Sequence, residues 1–266
     1  MADILQKLDP ASIALTMDAN KIAYGAYLST FPGAVFHTDP GICWFETGIP
    51  LDLFNGVLQI QLSPSTLPAA IDRVLTHFQQ RGLPFQWHLG PSSQPRDITA
   101  LLHARGITHV EDEPGMALEL RALNEEVPAA PHLTIQPVTT PDELRRWSEV
   151  WGCGAPEEVT RQWAAFYSQL RFGPEEQMRF YLGFVNGEPV ATSALFLGAG
   201  VASVEHVVTL PQARRQGLGA AMTLHAARDA RSSGYRVGML FASPMGVNIY
   251  RRLGFRAYGI FSTFEW

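Results

Sequence analysis

From residue 133 onward the apolar and polar positions change period in a regular series. "LTIQPV" (133–138) alternates, as a strand with one buried face does. Thr140-Pro141-Asp142-Glu143 has the chemistry of a helix start: a threonine cap, proline at the first helical position and acids in the first turn. A second helix is expected over 156–171. "RFYLGFV" (179–185) and "PVATSALFL" (189–197) read as strands around Asn186-Gly187, a dipeptide suited to a two-residue hairpin turn. "VASVEHVVT" (201–209) is a further strand, followed by a helix over about 215–232 and the strand "RVGMLFA" (236–242). A short helix from Pro244 to Leu253, with Ser243 as its N-cap, precedes a closing strand, "RAYGIFSTFEW" (256–266). The order is βααβββαβαβ.

The first half carries a fainter version of the same series. It predicts a helix over 12–29, strands over 34–38, 43–48 and 56–62, a helix over 66–81 and a strand over 84–88. A helix over 96–105 and strands over 107–111 and 115–120 follow. "LLHARGI" (101–107) echoes "IYRRLGF" (249–255), and each precedes a terminal β segment. "RALNEEVPAAPHL" (121–133), polar and then Pro/Ala-rich, is linker chemistry. The expected organisation is an α/β chain of two units, 1–125 and 131–266, each built on a mixed sheet, the first a degenerate relative of the second.

Composition narrows the class without naming a chemistry. With 46% apolar and 17% charged residues, the chain is an ordinary globular one. It has no apolar run of membrane-spanning length, so no membrane partner is expected. The opening "MADILQKLDP" lacks the apolar core of a secretory signal, and the two cysteines, Cys43 and Cys153, make no disulfide framework. A cytoplasmic location is the expectation. Residues 1–130 hold 14 acids against 7 bases, while 131–266 hold 11 acids against 13 bases. The second half is thus better suited to a polyanionic ligand, although its bias is too small for nucleic acid.

The segment "VEHVVTLPQARRQGLGAAM" (204–222) supplies such a site. The first turn of a helix leaves amide hydrogens without partners at the positive end of the helix dipole, and a phosphate can accept them. Gly217 and Gly219, lacking a Cβ, let a ligand approach the backbone. Arg214 and Arg215 add permanent charge. The other reading of the glycines is close helix–sheet packing. A Rossmann fingerprint fails at Met222, where its third glycine belongs, and the Gly-Lys-Ser/Thr of a Walker loop is absent.

With its neighbours the segment resembles the GNAT superfamily of CoA-dependent N-acyltransferases. Arg214–Gly219 satisfies the family's Q/R-x-x-G-x-G/A signature, and Tyr250-Arg251-Arg252-Leu253-Gly254-Phe255 matches its second, a tyrosine before a Leu-Gly-Phe helix ending. The order of elements in 133–266 is also the family's order. The resemblance covers the second half and extends to the first through the echo above.

The resemblance implies a fold, a co-substrate and roles. The fold is the GNAT fold, in two tandem copies, and the co-substrate is acetyl-CoA, with no metal. Its diphosphate would be held by the backbone of Arg215, Gln216, Gly217, Leu218, Gly219 and Ala220 beneath Arg214. Its pantetheine arm would bond to the free edge of Val207, Val208 and Thr209, on a strand splayed from its parallel neighbour. Ser243 stands where the family commonly has an asparagine that contacts the same arm. Glu205, an acid inside an apolar strand, is the candidate base for the amine. Its alternatives are an outward-pointing or arginine-paired carboxylate. His206 competes with it, since a period-2 strand puts the two on opposite faces. Tyr250 matches the family tyrosine that protonates the leaving thiolate; its alternative is a core tyrosine.

The first half lacks these features. "QLSPSTLPAA" (61–70) has neither glycine nor arginine where the cradle belongs, and Leu102 stands at the Tyr250 position. The histidines show no metal spacing. Trp147, Trp151 and Trp163 suit core packing better than an acceptor pocket, and Cys153 has no base beside it. The expected function is therefore transfer of an acetyl group from acetyl-CoA to a primary amine by direct attack in a ternary complex. The acceptor is a small amine or a peptide N-terminus, and a homodimer is among the states left open. The competing classes are a non-catalytic acyl-CoA sensor and a Rossmann-type nucleotide binder.

Overall fold

The computed structural model describes residues 4–6, 8–95, 97–126, 130 and 132–266. The expected linker falls partly on 127–129 and 131, outside the described residues. Among the described residues, eleven strands and seven α-helices follow in chain order: α1 (Pro10–Leu28), β1 (Val35–Asp39), β2 (Ile42–Glu46), β3 (Asn55–Ile60), α2 (Leu67–Arg81), β4 (Gln86–Leu89), α3 (Ile98–His103), β5 (Thr108–Glu119), β6 (Leu133–Pro137), α4 (Pro141–Trp151), α5 (Glu157–Tyr167), β7 (Met178–Val185), β8 (Glu188–Gly198), β9 (Val201–Thr209), α6 (Leu218–Ser232), β10 (Val237–Phe241), α7 (Val247–Leu253) and β11 (Arg256–Glu265). The βααβββαβαβ order expected after residue 133 is present in full. In the first half, the two strands expected over 107–111 and 115–120 are one twelve-residue strand, β5.

Local chemistry accounts for most boundaries. Thr140 and Glu143 form a complete capping box: the Thr140 hydroxyl accepts from the Glu143 amide, and the Glu143 carboxylate accepts from the Thr140 amide at 3.0 Å. Asn186 and Gly187, with φ of 52° and 84°, make the left-handed turn between β7 and β8. The last helix starts later than the proline suggests. Pro244–Gly246 form a turn, α7 begins at Val247, and Ser243 accepts the Gly246 and Val247 amides through its carbonyl rather than capping with its side chain.

The chain divides into two compact units that are discontinuous in sequence. One holds Met1–Asp9 and Met116–Ala257; the other holds Pro10–Gly115 and Tyr258–Trp266. As compact bodies they therefore differ from the halves 1–125 and 131–266. Strand β5 begins in the unit of the first half and ends in that of the second, and β11 makes the reverse passage. In the Met116–Ala257 unit the strand order is β5-β10-β9-β8-β7-β6, with β9 and β10 parallel. One face of this sheet packs on α6, through Tyr181, Val204, Met222 and Leu224. The opposite face packs on α4 and α5, where Trp147 lies 4.6 Å from Phe180 between ring centres. In the Pro10–Gly115 unit the order is β1-β2-β3-β4-β11-β5, and the core joins Trp44, Val57, Ile71, Phe78, Phe85 and Phe264. Among the described residues no helix is long and apolar enough to cross a membrane.

Candidate functional site

Strand β9 does not keep its period. It pairs with β8 through Ala194↔Glu205 and then Thr192↔Val208, so two residues of β9, His206 and Val207, oppose the single Ser193 of β8. His206 sits in this bulge with φ of 53°, and the Thr192 hydroxyl donates to its carbonyl at 2.9 Å. Before the bulge, Ala202 and Val204 point into the α6 core, so Ser203 and Glu205 point to the α4–α5 face. Within it, the His206 ring lies 4.5 Å from Trp151 and 5.6 Å from Trp147 on that same face. Period-2 reasoning placed Glu205 and His206 on opposite faces; the bulge puts both on one. The Ser203 hydroxyl donates to Glu205 Oε1 and orients the carboxylate. Burial pushes His206 down to about 3, so the ring is neutral and a weak proton acceptor at neutral pH.

The other edge of β9 opens. Its parallel register with β10 consists of Gly238↔Ala202 and Met239↔Ser203. Beyond that point, among the described residues, β9 is paired with β8 alone, through Thr209. One backbone edge of Val207, Val208 and Thr209 thus lies outside the β9–β10 ladder.

A tight loop joins β9 to α6. Arg215 has φ of 62° and Gly217 has φ of 79°, so Gly217 occupies a left-handed position that any other L-residue would strain. Arg214 uses its Nε to hold the Thr209 carbonyl at 3.0 Å, which straps the loop to the end of β9. Gln216 and both arginines are exposed. Helix α6 begins at Leu218, and the first amide of this turn to reach a backbone carbonyl is that of Ala221, on Gly217 at 3.1 Å. The amides of Leu218, Gly219 and Ala220 belong to the unpaired first turn. Gly219 needs no special φ, and a Cβ there would meet nothing closer than Ile249 and Thr209, both at 3.9 Å. Internal packing therefore does not require this glycine. The same two contacts show that the end of β9, the start of α6 and α7 converge on one point.

Tyr250 is 8% exposed and lies on α7, with its ring 6.1 Å from that of Phe255. A Cβ on Gly246 would come within 2.5 Å of this ring and 3.3 Å of its hydroxyl oxygen. The phenol is laid against the turn that follows β10, and Gly246 makes room for it. Neither Gly246 nor Ser203 was marked by the sequence reading. Ser203 carried a signal, since Ser-x-Glu on a strand shares one face; Gly246 carried none.

The Pro10–Gly115 unit repeats the arrangement and then closes it. Strands β3 and β4 are parallel through Gly56↔Gln86 and Val57↔Trp87 before separating, and β3 is bulged against β2. Here the chain itself occupies the gap. The Gln94 amide donates to the Ile60 carbonyl at 2.9 Å, and the Leu62 amide donates to the Gln94 carbonyl at 3.2 Å.

Comparison with known proteins agrees with this architecture. Residues 141–255 match the model of the acetyltransferase (GNAT) family. No match was found among curated proteins. A GCN5-related N-acetyltransferase from Kribbella flavida superposes with a TM-score of 0.72 at 22% identity, over 93% of this chain and 95% of its own. A tandem GNAT protein from the clavulanic acid biosynthesis pathway gives 0.57 at 15% identity, over 99% and 97%. A GCN5-related N-acetyltransferase from Sphaerobacter thermophilus gives 0.55 at 16%, over 98% and 94%. At these identities the structural likeness is one of fold. The open β9 edge, the glycine loop and α7 all lie within the matched segment, and over residues 141–255 the chain carries a domain of the acetyltransferase (GNAT) family.

Proposed function

We propose that the protein transfers an acetyl group from acetyl-CoA to a primary amine by direct attack in a ternary complex. The observation that carries this reading is Gly219: a glycine at the mouth of α6 that neither backbone conformation nor packing requires. Room for a ligand against the unpaired amides of the first turn explains it. When bound, acetyl-CoA supplies the activated acyl group. The amides of Arg215 to Ala220, with Arg214 above them, hold its diphosphate. Val207, Val208 and Thr209 offer the free strand edge to its pantetheine arm, beside Ser243. Glu205, oriented by Ser203, takes the proton that the amine loses on attack, directly or through water. Tyr250 gives a proton to the departing sulfur.

The Pro10–Gly115 unit fits the role of a degenerate copy, because Gln94 pairs with the strand edge that would face a pantetheine. The free thiols Cys43 and Cys153 fit a reducing compartment such as the cytosol. The acceptor is a small amine or a peptide N-terminus that reaches β9 from the α4–α5 side.

Calorimetry with CoA, followed by thiol release across an amine panel, tests the proposal. Tyr250→Phe is expected to lower kcat by about 10²- to 10⁴-fold with little change in CoA affinity. An unchanged kcat removes Tyr250 as the acid. Tight CoA binding without thiol release from any amine favours a sensor, and no CoA binding at all overturns both readings.

A further inference from the structure

In the Pro10–Gly115 unit, the β1–β2 hairpin and α2 gather three buried ligand-type atoms that make no hydrogen bond. In the hairpin, His37 stands opposite Trp44 and Val35 opposite Glu46. His37 and Glu46 are therefore diagonal neighbours on one face, and the His37 ring stacks on Trp44 with 3.6 Å between centres. On α2, Arg73, His77 and Arg81 recur every four residues and form one stripe toward the hairpin. His77 Nε2 lies 3.1 Å from Glu46 Oε2, and His37 Nε2 lies 3.6 Å from Glu46 Oε1. The Glu46 side chain is only 4% exposed. His37 Nε2, His77 Nε2 and Glu46 Oε2 are all closed off from solvent, and none makes a hydrogen bond of acceptable geometry. Arg81 Nε comes within 2.7 Å of Oε2 as an ion pair, off the line of a hydrogen bond.

We propose that His37, Glu46 and His77 form a binding site for a divalent transition metal of the zinc class. Two imidazole nitrogens and a carboxylate oxygen are a zinc donor set. Donors about 2.1 Å from a tetrahedral ion stand roughly 3.4 Å from one another. His77 Nε2 stands 3.1 Å from Oε2 and His37 Nε2 stands 3.6 Å from Oε1, so each imidazole lies near that spacing from one oxygen of the carboxylate, and all three residues offer ligand atoms within 4.8 Å of each other. A dication at their centre engages three buried atoms together, and neither imidazole meets the carboxylate at hydrogen-bond geometry. Three protein ligands leave a fourth position for water. Arg81 is half exposed, so its head can turn to solvent or keep an outward lone pair of Glu46. The ion ties the β1–β2 hairpin to α2 and so stabilises the unit. The site stands apart from the acyltransferase reading, and neither depends on the other.

The test uses the full chain, stripped of metal by dialysis against chelator and titrated with Zn²⁺. One ion per chain and a rise in Tm are expected, with both lost in the H37Q/H77Q double variant. Equal Zn²⁺ uptake by wild type and double variant overturns the site. If the variant does not fold, Co²⁺ added to the wild-type chain decides. Four-coordinate visible absorption that Zn²⁺ abolishes supports the site, and the spectrum of aqueous Co²⁺ alone overturns it.

Discussion

At the scale of single residues, identical letters in the sequence do different work. Gly217 and Gly219 read alike in the motif, yet Gly217 is required by a φ of 79° and Gly219 by nothing inside the chain. Only the second calls on the proposed ligand for its explanation. His206 shows the converse, since one bulge moves it from the face that alternation assigns into a nest of aromatic rings. Its proton affinity follows: burial holds the folded-state value near 3, while an unfolded histidine titrates near 6.5. Between those values the unfolded chain binds more protons, so the contribution of His206 is complete above about pH 6.5 and is lost as pH falls toward 3. Buried Asp18 and half-buried Glu113 are shifted upward and act with the opposite sign, which makes a variant the proper control. Urea unfolding at pH 7 and pH 5 should show wild type losing about 2 kcal/mol more than His206→Phe over that interval. Equal losses would mean that the ring is not buried in the neutral form.

At the scale of elements, β9 and α7 show how the site is shaped. The bulge in β9 sets two polar side chains on one face, and the early end of its ladder with β10 leaves a backbone edge open. Across the sheet, Asp229 of α6 receives Arg179 at 2.8 Å and the Tyr181 hydroxyl, which anchors the helix whose first turn carries the unpaired amides. Helix α7 depends on a single absent methyl. In Gly246→Ala, the added Cβ meets the Tyr250 ring at 2.5 Å and must displace it. That substitution should cost about 1–3 kcal/mol in chemical denaturation and lower kcat more than it weakens CoA binding. A variant that matches wild type in both would show that Tyr250 can move without consequence.

At the scale of the whole molecule, two units share one plan, but their crevices differ. In the Met116–Ala257 unit β9 and β10 part and leave the β9 edge free; in the Pro10–Gly115 unit Gln94 bonds to both Ile60 and Leu62 across the corresponding gap. Calorimetry should therefore count one CoA per 266-residue chain. A stoichiometry of two would mean that Gln94 yields its place and that the unit is not degenerate. The exchange of β5 and β11 between the units also bears on truncation: a cut near residue 125 separates each unit from a strand it contains.

The sequence by itself determined what depends on neighbours along the chain. The capping box at Thr140, the Asn186-Gly187 turn, the order of elements after residue 133 and the glycine loop at a helix mouth are local chemistry, legible from a few adjacent letters. Tertiary structure decided what depends on residues far apart. The side to which His206 turns, the room that Gly246 leaves for Tyr250, the closing of one crevice by Gln94 and the meeting of His37, Glu46 and His77 have no periodic or motif signature. The reason is physical: local signals report the conformation of one segment, whereas a bulge, a filled gap or a convergence of side chains exists only once separate segments pack.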